Sequence, residues 1–179
     1  MIVVLVRHPR PLVAVGVCYG RLDVPLHDDA AVQVDAVLQE LSGLAAGVVW
    51  SSPAVRCVVL AKAVAGATSG DLRLDARLLE LDFGDWEGVA WDNVPRSALD
   101  AWAADVMGFA GHGGERGADL VARIAEFAAM LRSDGRDCVV VAHAGPLKLL
   151  GPMLRGEAFD LLAPSMPMAK PEFVTVSAG

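Results

Sequence analysis

The stretch Ile2-Val3-Val4-Leu5-Val6-Arg7-His8 decides the fold, because a short apolar run ends abruptly in a fixed cation and an imidazole. Five consecutive apolar residues, most of them β-branched, predict a strand that is buried on both faces of a sheet. Such strands occur mainly in parallel sheets that are covered by helices on both sides. The sequence therefore predicts an α/β protein in which Arg7 and His8 stand at the carboxyl end of the first strand.

Two further apolar runs end in polar residues in the same way. Val139-Val140-Val141-Ala142 stops at His143, and Val48-Val49-Trp50 stops at Ser51-Ser52-Pro53, with Arg56 in the turn that follows. The carboxyl ends of parallel strands meet at one edge of the sheet, and ligands bind there in open α/β sheets. The side chains expected to meet at this edge are Arg7, His8, Arg56 and His143.

Helices are predicted between the strands, where apolar residues recur at steps of three and four or where a proline opens a first turn. The predicted helices are Ala31–Leu41, Pro53 to about Ala65, Leu99–Phe109, Leu120–Leu131 and Pro146–Leu154. Phe173–Val176 predicts a last strand at an edge of the sheet. The alternation predicts a single domain over residues 1–179, with three α/β/α layers around a mostly parallel sheet.

Two segments are not predicted to be regular. Pro9 to about Leu26 is rich in proline and glycine and is interpreted as a loop. Leu72–Trp91 mixes leucine, acidic residues and two glycines and is interpreted mainly as an exposed loop. The whole region 72–117 is interpreted as an insertion beyond one strand end. Insertions at that place commonly form lids over a site.

Composition narrows the function classes. The chain has 179 residues, a net charge of −7 and no run of Lys or Arg, so we expect no nucleic-acid partner. Three irregularly spaced cysteines suggest neither a disulfide framework nor a zinc site. The apolar run after Met1 is too short for a signal or membrane segment, so we expect a cytoplasmic protein without a membrane partner.

The strand-end residues favour phosphate chemistry. Two guanidinium groups at a ligand edge call for an anion, and an imidazole beside that anion can act as a nucleophile. A lone histidine is more often structural, but burying Arg7 without an anion would be costly, and His143 repeats the arrangement. Two histidines could instead bind a metal. We predict no metal, because two arginines would repel a divalent cation and no acid stands at a standard ligand spacing.

An acid is needed to protonate a leaving alkoxide, and Glu80 is the candidate. It lies between apolar neighbours, where desolvation and the nearby anion are expected to raise its pKa. Asp82 is the rival acid. His27 and His112 fall in predicted loops and are expected to be solvated.

These elements together resemble the histidine phosphatase superfamily, which has the phosphoglycerate mutase-like fold. The matching elements, in the family's order, are Arg7-His8, Ser51-Ser52-Pro53-Ala54-Val55-Arg56, Glu80 upstream of Gly84 and Gly88, Gly113-Gly114-Glu115, and Ala142-His143-Ala144-Gly145. Within the superfamily, Cys18–Leu26 and Glu80–Gly88 resemble the alpha-ribazole phosphatase branch. The chain departs from the family pattern where Pro9 replaces a usual glycine, Arg116 a common serine, Lys148 a frequent arginine and Leu60 a frequent threonine.

The resemblance implies a phosphomonoesterase that works through a phosphohistidine at His8 on a small phosphate ester, with alpha-ribazole 5'-phosphate as one candidate. It implies that Arg7, Arg56 and His143 hold the phosphate and that Glu80 is the acid, later the base for water, without metal or organic cofactor. Candidate substrate contacts are Arg10, Tyr19, Arg21, Asp82 and Arg116. The alternatives are mutase-type phosphoryl transfer and non-catalytic binding of phosphorylated ligands. The oligomeric state stays open, a homodimer being one option.

Overall fold

The structure of the protein is a computed structural model that describes residues 1–177. The helices and strands of these residues are β1 (Ile2–Arg7), α1 (Ala30–Glu40), β2 (Val48–Ser51), α2 (Val55–Thr68), β3 (Asp71–Leu74), α3 (Arg96–Ala104), α4 (Gly117–Asp134), β4 (Cys138–Ala142), α5 (Ala144–Arg155) and β5 (Pro171–Thr175). Short 3₁₀ turns at Ala76–Leu78, Gly84–Trp86 and Trp91–Asn93 lie between β3 and α3.

The described strands form one sheet in the order β3-β2-β4-β1-β5. The first four are parallel, and β5 pairs with β1 in the antiparallel direction at the edge. The predicted mostly parallel α/β sheet is therefore confirmed, as is the edge position of the last strand.

Helices cover both faces of this sheet, because its strands are apolar on both sides. Val3 and Leu5 face the layer formed by α4 and α5, whereas Val4 and Val6 face α1 and α2. The alternation follows from the two-residue period of a strand. It makes each central strand a continuous apolar run, which explains why the sequence pattern identified these strands so readily.

The register of the parallel strands places three polar residues side by side. Arg7 pairs with Ala142, and Ser51 pairs with Val141, so β1, β4 and β2 end at the same level. The ladder continues one step further, since the His8 N–H donates to the carbonyl of Ala142 at 3.0 Å and the Ser52 N–H to that of Val141 at 3.0 Å. The backbones of three residues therefore lie side by side at one edge of the sheet, namely those of His8, Ser52 and His143.

The interpretation of Leu72–Trp91 as an exposed loop is wrong. Its first residues belong to β3, a fourth parallel strand paired with β2, and its later part buries Leu78, Leu81 and Trp86. The sequence pattern does not predict this strand, because an edge strand exposes its charged residues, here Asp71 and Arg73, and so lacks a continuous apolar run.

The helix predicted over Leu99–Phe109 is shorter than its apolar stripe. Helix α3 ends at Ala104, and the Asp105 carboxylate then accepts a hydrogen bond from the Gly108 N–H at 2.9 Å, which closes a turn. Phe109 therefore joins an aromatic cluster from a loop. No helix within residues 1–177 is long and apolar enough to span a bilayer.

Candidate active site

His8 is held as a neutral imidazole with one free nitrogen. The side chain is 1% exposed, and its Nδ1 lies 2.7 Å from the carbonyl oxygen of Pro9. A carbonyl oxygen only accepts hydrogen bonds, so Nδ1 carries the proton and Nε2 keeps its lone pair. Burial lowers the pKa of His8 to about 3, helped by the charges of Arg56 and Arg7 and opposed by the Pro9 hydrogen bond. At neutral pH this nitrogen is available as a nucleophile.

Two guanidinium groups beside His8 lack an anionic partner. Arg56 is wholly buried and donates to the carbonyls of Leu22 and Gly20, both at 2.7 Å. Arg7 donates to the carbonyl of Met166 at 3.2 Å. Neither arginine is among the ion pairs of residues 1–177, and the Nε–H of each is buried without a hydrogen-bond partner. Such cations are costly unless an anion joins them, so the arrangement suits a phosphate group.

His143 stands against His8 from the neighbouring strand. The two ring centroids are 5.2 Å apart, and the His143 Nε2 lies 2.8 Å from Ser52 Oγ. Burial first, and then the charges of His8 and the arginines, lower the pKa of His143 well below its usual value. A neutral His143 adds no positive charge of its own, but its ring is fixed in place by Ser52.

The side chain of Tyr19 packs against Arg7, Arg56 and His8. Its hydroxyl lies 3.4 Å from Arg7 Nη2, and its ring centroid lies 5.3 Å from the Arg56 guanidinium carbon. The Tyr19 and His8 rings pack edge to face, with centroids 6.3 Å apart. Tyr19 covers His8 and Arg56, and His143 packs against His8. These side chains are therefore shielded from solvent although they lie at the ligand edge of the sheet.

Glu80 lies at the same edge of the sheet, where its carboxyl group contacts the first turn of α5. Its Oε1 accepts hydrogen bonds from the Leu81 N–H at 2.9 Å and the Gly145 N–H at 3.1 Å. The first N–H groups of a helix have no intrahelical partner, so the Gly145 N–H is free to hold the Glu80 side chain in place. A β-carbon on residue 145 would overlap Glu80 Oε1, so any larger residue there would displace the Glu80 side chain.

A buried ion network fixes the backbone of Glu80. Arg21 and Arg123 both donate to the carbonyl of Glu80, each at 3.1 Å, and both also bind the Glu115 carboxylate. The side chains of Glu115 and Arg123 are only 12% and 14% exposed. Glu115 belongs to the predicted Gly113-Gly114-Glu115 motif. Arg123 was not predicted, because it lies on the polar side of α4 and carries no signal in the helical pattern.

The remaining candidate residues do not converge with this group. Arg10 is exposed and faces Asp29 at 3.9 Å. Arg116 is exposed and binds Asp119 through two hydrogen bonds, of 2.8 and 2.7 Å. Asp82 accepts from the Gly84 N–H at 2.8 Å and lies 3.5 Å from Arg21.

His112 is not solvated, contrary to the expectation for its loop. It is 1% exposed within an aromatic cluster and lies 5.0 Å from the ring of Trp86. Its Nδ1 accepts from the Gly114 N–H at 2.9 Å. The loop buries it because Gly84 and Gly114 allow two backbone segments to meet where a β-carbon would clash. His27 is half-buried and lies 2.8 Å from Asp29.

A cavity of about 280 Å³ opens between Arg7, Glu80 and Gly145. A second cavity, of about 390 Å³, lies against the far side of α5, where Arg155 is paired with Glu157 and Glu172. Of the two cavities, the first is lined by Arg7 and by Tyr19, whose ring also packs against His8 and Arg56. Residues 1–177 contain no cluster of three or more side chains suited to holding a metal ion.

Comparisons with known proteins find similarity over most of the chain. The family model for the histidine phosphatase superfamily (branch 1) matches residues 3–163. Glucosyl-3-phosphoglycerate phosphatase of Mycobacterium tuberculosis is 30% identical over 165 residues, which cover 84% of this chain and 74% of that protein. Phosphoserine phosphatase 1 of Hydrogenobacter thermophilus is 28% identical over 153 residues, which cover 82% and 72%. In fold, the chain is similar to the alpha-ribazole phosphatase of Shigella flexneri, with a TM-score of 0.88 at 23% identity over 99% of this chain and 91% of that one.

The depressed pKa of His8 predicts a loss of stability in acid. Its folded value is about 3 and its unfolded value about 6.5, so between these values the unfolded chain binds more protons. The contribution is complete above pH 6.5 and is lost as the pH falls toward 3. For His8 alone the loss between pH 7 and pH 5 is about 2 kcal/mol in the free energy of unfolding.

Urea unfolding at both pH values, for the wild type and His8→Asn, measures this contribution. All other ionisable groups are the same in the two proteins, so the difference between the two slopes isolates His8. We expect a steeper loss in the wild type. Equal pH dependence in the two proteins would contradict a neutral, buried His8.

Proposed function

The chain belongs to the histidine phosphatase superfamily, branch 1, and is a phosphoric monoester hydrolase; we propose that it hydrolyses a small phosphate ester through a phosphohistidine at His8. The observation that carries the proposal is the pair of guanidinium groups of Arg7, which is half-buried, and Arg56, which is wholly buried. Neither has a carboxylate partner within residues 1–177, and both lie beside a neutral imidazole. A dianionic phosphate satisfies both cations and places its phosphorus next to a free nitrogen.

The first step forms a bond between His8 Nε2 and phosphorus while the bond from phosphorus to the ester oxygen breaks. Arg7 and Arg56 balance the charge on the phosphoryl oxygens. The hydrogen bond from His8 Nδ1 to the Pro9 carbonyl stabilises the positive charge that develops on the imidazole. Glu80 gives its proton to the departing oxygen, so the product leaves as a neutral alcohol.

The second step uses the same groups in reverse order. Glu80, now a carboxylate, takes a proton from water as the water oxygen attacks phosphorus and the bond to His8 Nε2 breaks. Inorganic phosphate leaves, and His8 is neutral again. The two arginines supply the positive charge that a metal ion would otherwise bring, so we propose that the reaction needs no metal.

We propose alpha-ribazole 5'-phosphate as a candidate substrate, which would place the protein in assembly of the cobalamin lower ligand. The two segments that resemble the alpha-ribazole phosphatase branch form one unit here, which supports this choice. The Glu87 carboxylate accepts from the Arg21 and Leu22 N–H groups at 2.8 and 3.0 Å and from the Phe83 N–H at 3.1 Å. All three cysteines are free and buried, which suits the reducing cytoplasm.

Replacing the nucleophile tests the proposal. His8→Ala should abolish phosphate release and acid-labile labelling of the protein by a ³²P-phosphate ester, because no other group can form the intermediate. His27→Ala is the matched control, since His27 lies outside the site, and it should be labelled like the wild type. The assays contain EDTA, and the wild type should remain active. Labelling or near-wild-type turnover in His8→Ala would refute the mechanism.

Replacing the acid should have an effect that depends on the leaving group. Glu80→Gln should slow hydrolysis of an alkyl phosphate by roughly 10²–10⁴-fold, because a basic alkoxide needs a proton to leave. Phosphorylation by a nitrophenyl phosphate should be slowed far less. Asp82→Asn is the matched control, and single-turnover rates on both esters measure the difference. If Asp82→Asn shows this dependence and Glu80→Gln does not, the two roles are reversed.

The placement of the carboxylate gives a second route to the same defect. Gly145→Ala should push Glu80 away from the helix N-terminus and reproduce the leaving-group dependence in weaker form. Gly66→Ala, at an exposed helical position with open space around it, controls for the substitution itself. A Gly145→Ala enzyme with wild-type rates on alkyl esters would mean that this position of Glu80 is not the working one.

A further inference from the structure

The cavity beside the phosphate site has one polar end and one aromatic side. Arg7, Tyr19 and Glu80 are among its lining residues and mark the phosphate end, because Tyr19 contacts Arg7 and packs against His8. Away from that end, the aromatic wall consists of Phe83, Trp91 and Trp102. All three aromatic side chains are half-buried, so each presents part of its ring to the cavity.

This aromatic wall is supported from behind. The ring of Phe83 lies 5.5 Å from that of Trp91 and 6.4 Å from that of Trp102. Trp86, which is 7% exposed, lies 6.2 Å from Trp91 and 6.4 Å from Trp102 and fills the space behind them. Edge-to-face packing of this kind holds aromatic rings in fixed orientations. The wall is therefore formed before a ligand arrives.

The rest of the cavity offers few partners for a polar ligand. Among the described residues that line it away from the phosphate end, the charged or hydroxyl side chains are Lys148 and Ser165. Lys148 already donates to the carbonyl of Leu161 at 3.2 Å. Aliphatic side chains of Val17, Val106 and Leu161 complete the walls. A ligand with only hydroxyl or charged groups to place along these walls would lose its water without gaining matching hydrogen bonds.

We propose that the alcohol released by this enzyme carries a flat apolar ring, which packs on the wall formed by Phe83, Trp91 and Trp102. The inference rests on the proposed function, since Glu80 marks where the ester oxygen must lie and the cavity extends from there. It narrows the substrates to phosphates of ring-bearing alcohols. Phosphates of small polyhydroxylated or zwitterionic alcohols are expected to be poor substrates.

A matched pair of esters isolates the ring. 3-Phenylpropyl phosphate and n-propyl phosphate release primary alkoxides of nearly equal basicity, so the chemical step makes the same demand on His8 and Glu80. Burying the phenyl group on the wall should raise kcat/KM by roughly 10- to 100-fold over the propyl ester. Glycerol 1-phosphate, with hydroxyls in place of the ring, should be no better than the propyl ester.

Variants of the wall test where the preference arises. Trp102→Leu and Trp91→Leu should each reduce the ratio of the two kcat/KM values, and either suffices if the other fails to fold. Phe109→Leu is the matched control. Phe109 packs on Trp86 with ring centroids 5.6 Å apart but is not part of the cavity wall, so its loss should leave the ratio unchanged.

Binding of phosphonates separates this inference from the proposed function. 4-Phenylbutylphosphonate and n-butylphosphonate cannot be hydrolysed, and their dissociation constants report the ring preference without turnover. A tighter phenyl compound together with no hydrolysis of any ester would refute the proposed function and keep the ring subsite. Equal kcat/KM for the two esters, or a ratio that survives both tryptophan substitutions, would overturn the ring subsite while leaving the phosphatase intact.

Discussion

The site depends on two guanidinium groups, one half-buried and one wholly buried, that pair with no carboxylate of residues 1–177. Arg7 and Arg56 use part of their hydrogen-bonding capacity on backbone carbonyls, yet the Nε–H of each remains without a partner. Removing a cation from water is tolerated only when opposite charge compensates it. The chain supplies that charge to Arg21 and Arg123, through Glu115, but not to Arg7 or Arg56. We propose that a bound anion supplies this compensation and that the rest of the site is arranged around it.

The sheet brings the site together, and this much could be predicted from sequence. A strand buried on both faces reads as a continuous apolar run, and its end is marked by the first polar residue. Arg7-His8, Ser51-Ser52 and His143 are such endings, and the parallel register aligns them. The position of Glu80 needed the family resemblance, because a carboxylate in an irregular segment carries no periodic signal of its own.

Other parts of the structure could not be predicted because their burial depends on tertiary contacts. β3 exposes its charged residues at the sheet edge and lacks an apolar run. His112 is buried by loops that meet through glycines, which no local pattern reveals. Arg123 looks like an ordinary polar residue on a helix, yet it is tied to Glu115 and to the carbonyl of Glu80. Arg10 and Arg116 were predicted as substrate contacts because they lie beside matching motifs. In the structure they instead face the carboxylates of Asp29 and Asp119.

A crystal structure with vanadate, whose oxygens stand in for those of the transferring phosphoryl group, tests the central claim most directly. The account predicts vanadium within bonding distance of His8 Nε2 and vanadate oxygens that accept hydrogen bonds from the unpartnered Nε–H groups of Arg7 and Arg56. Glu80 should face the oxygen opposite His8. Vanadate bound to another group, with the Nε–H groups of Arg7 and Arg56 still unpaired, would contradict it.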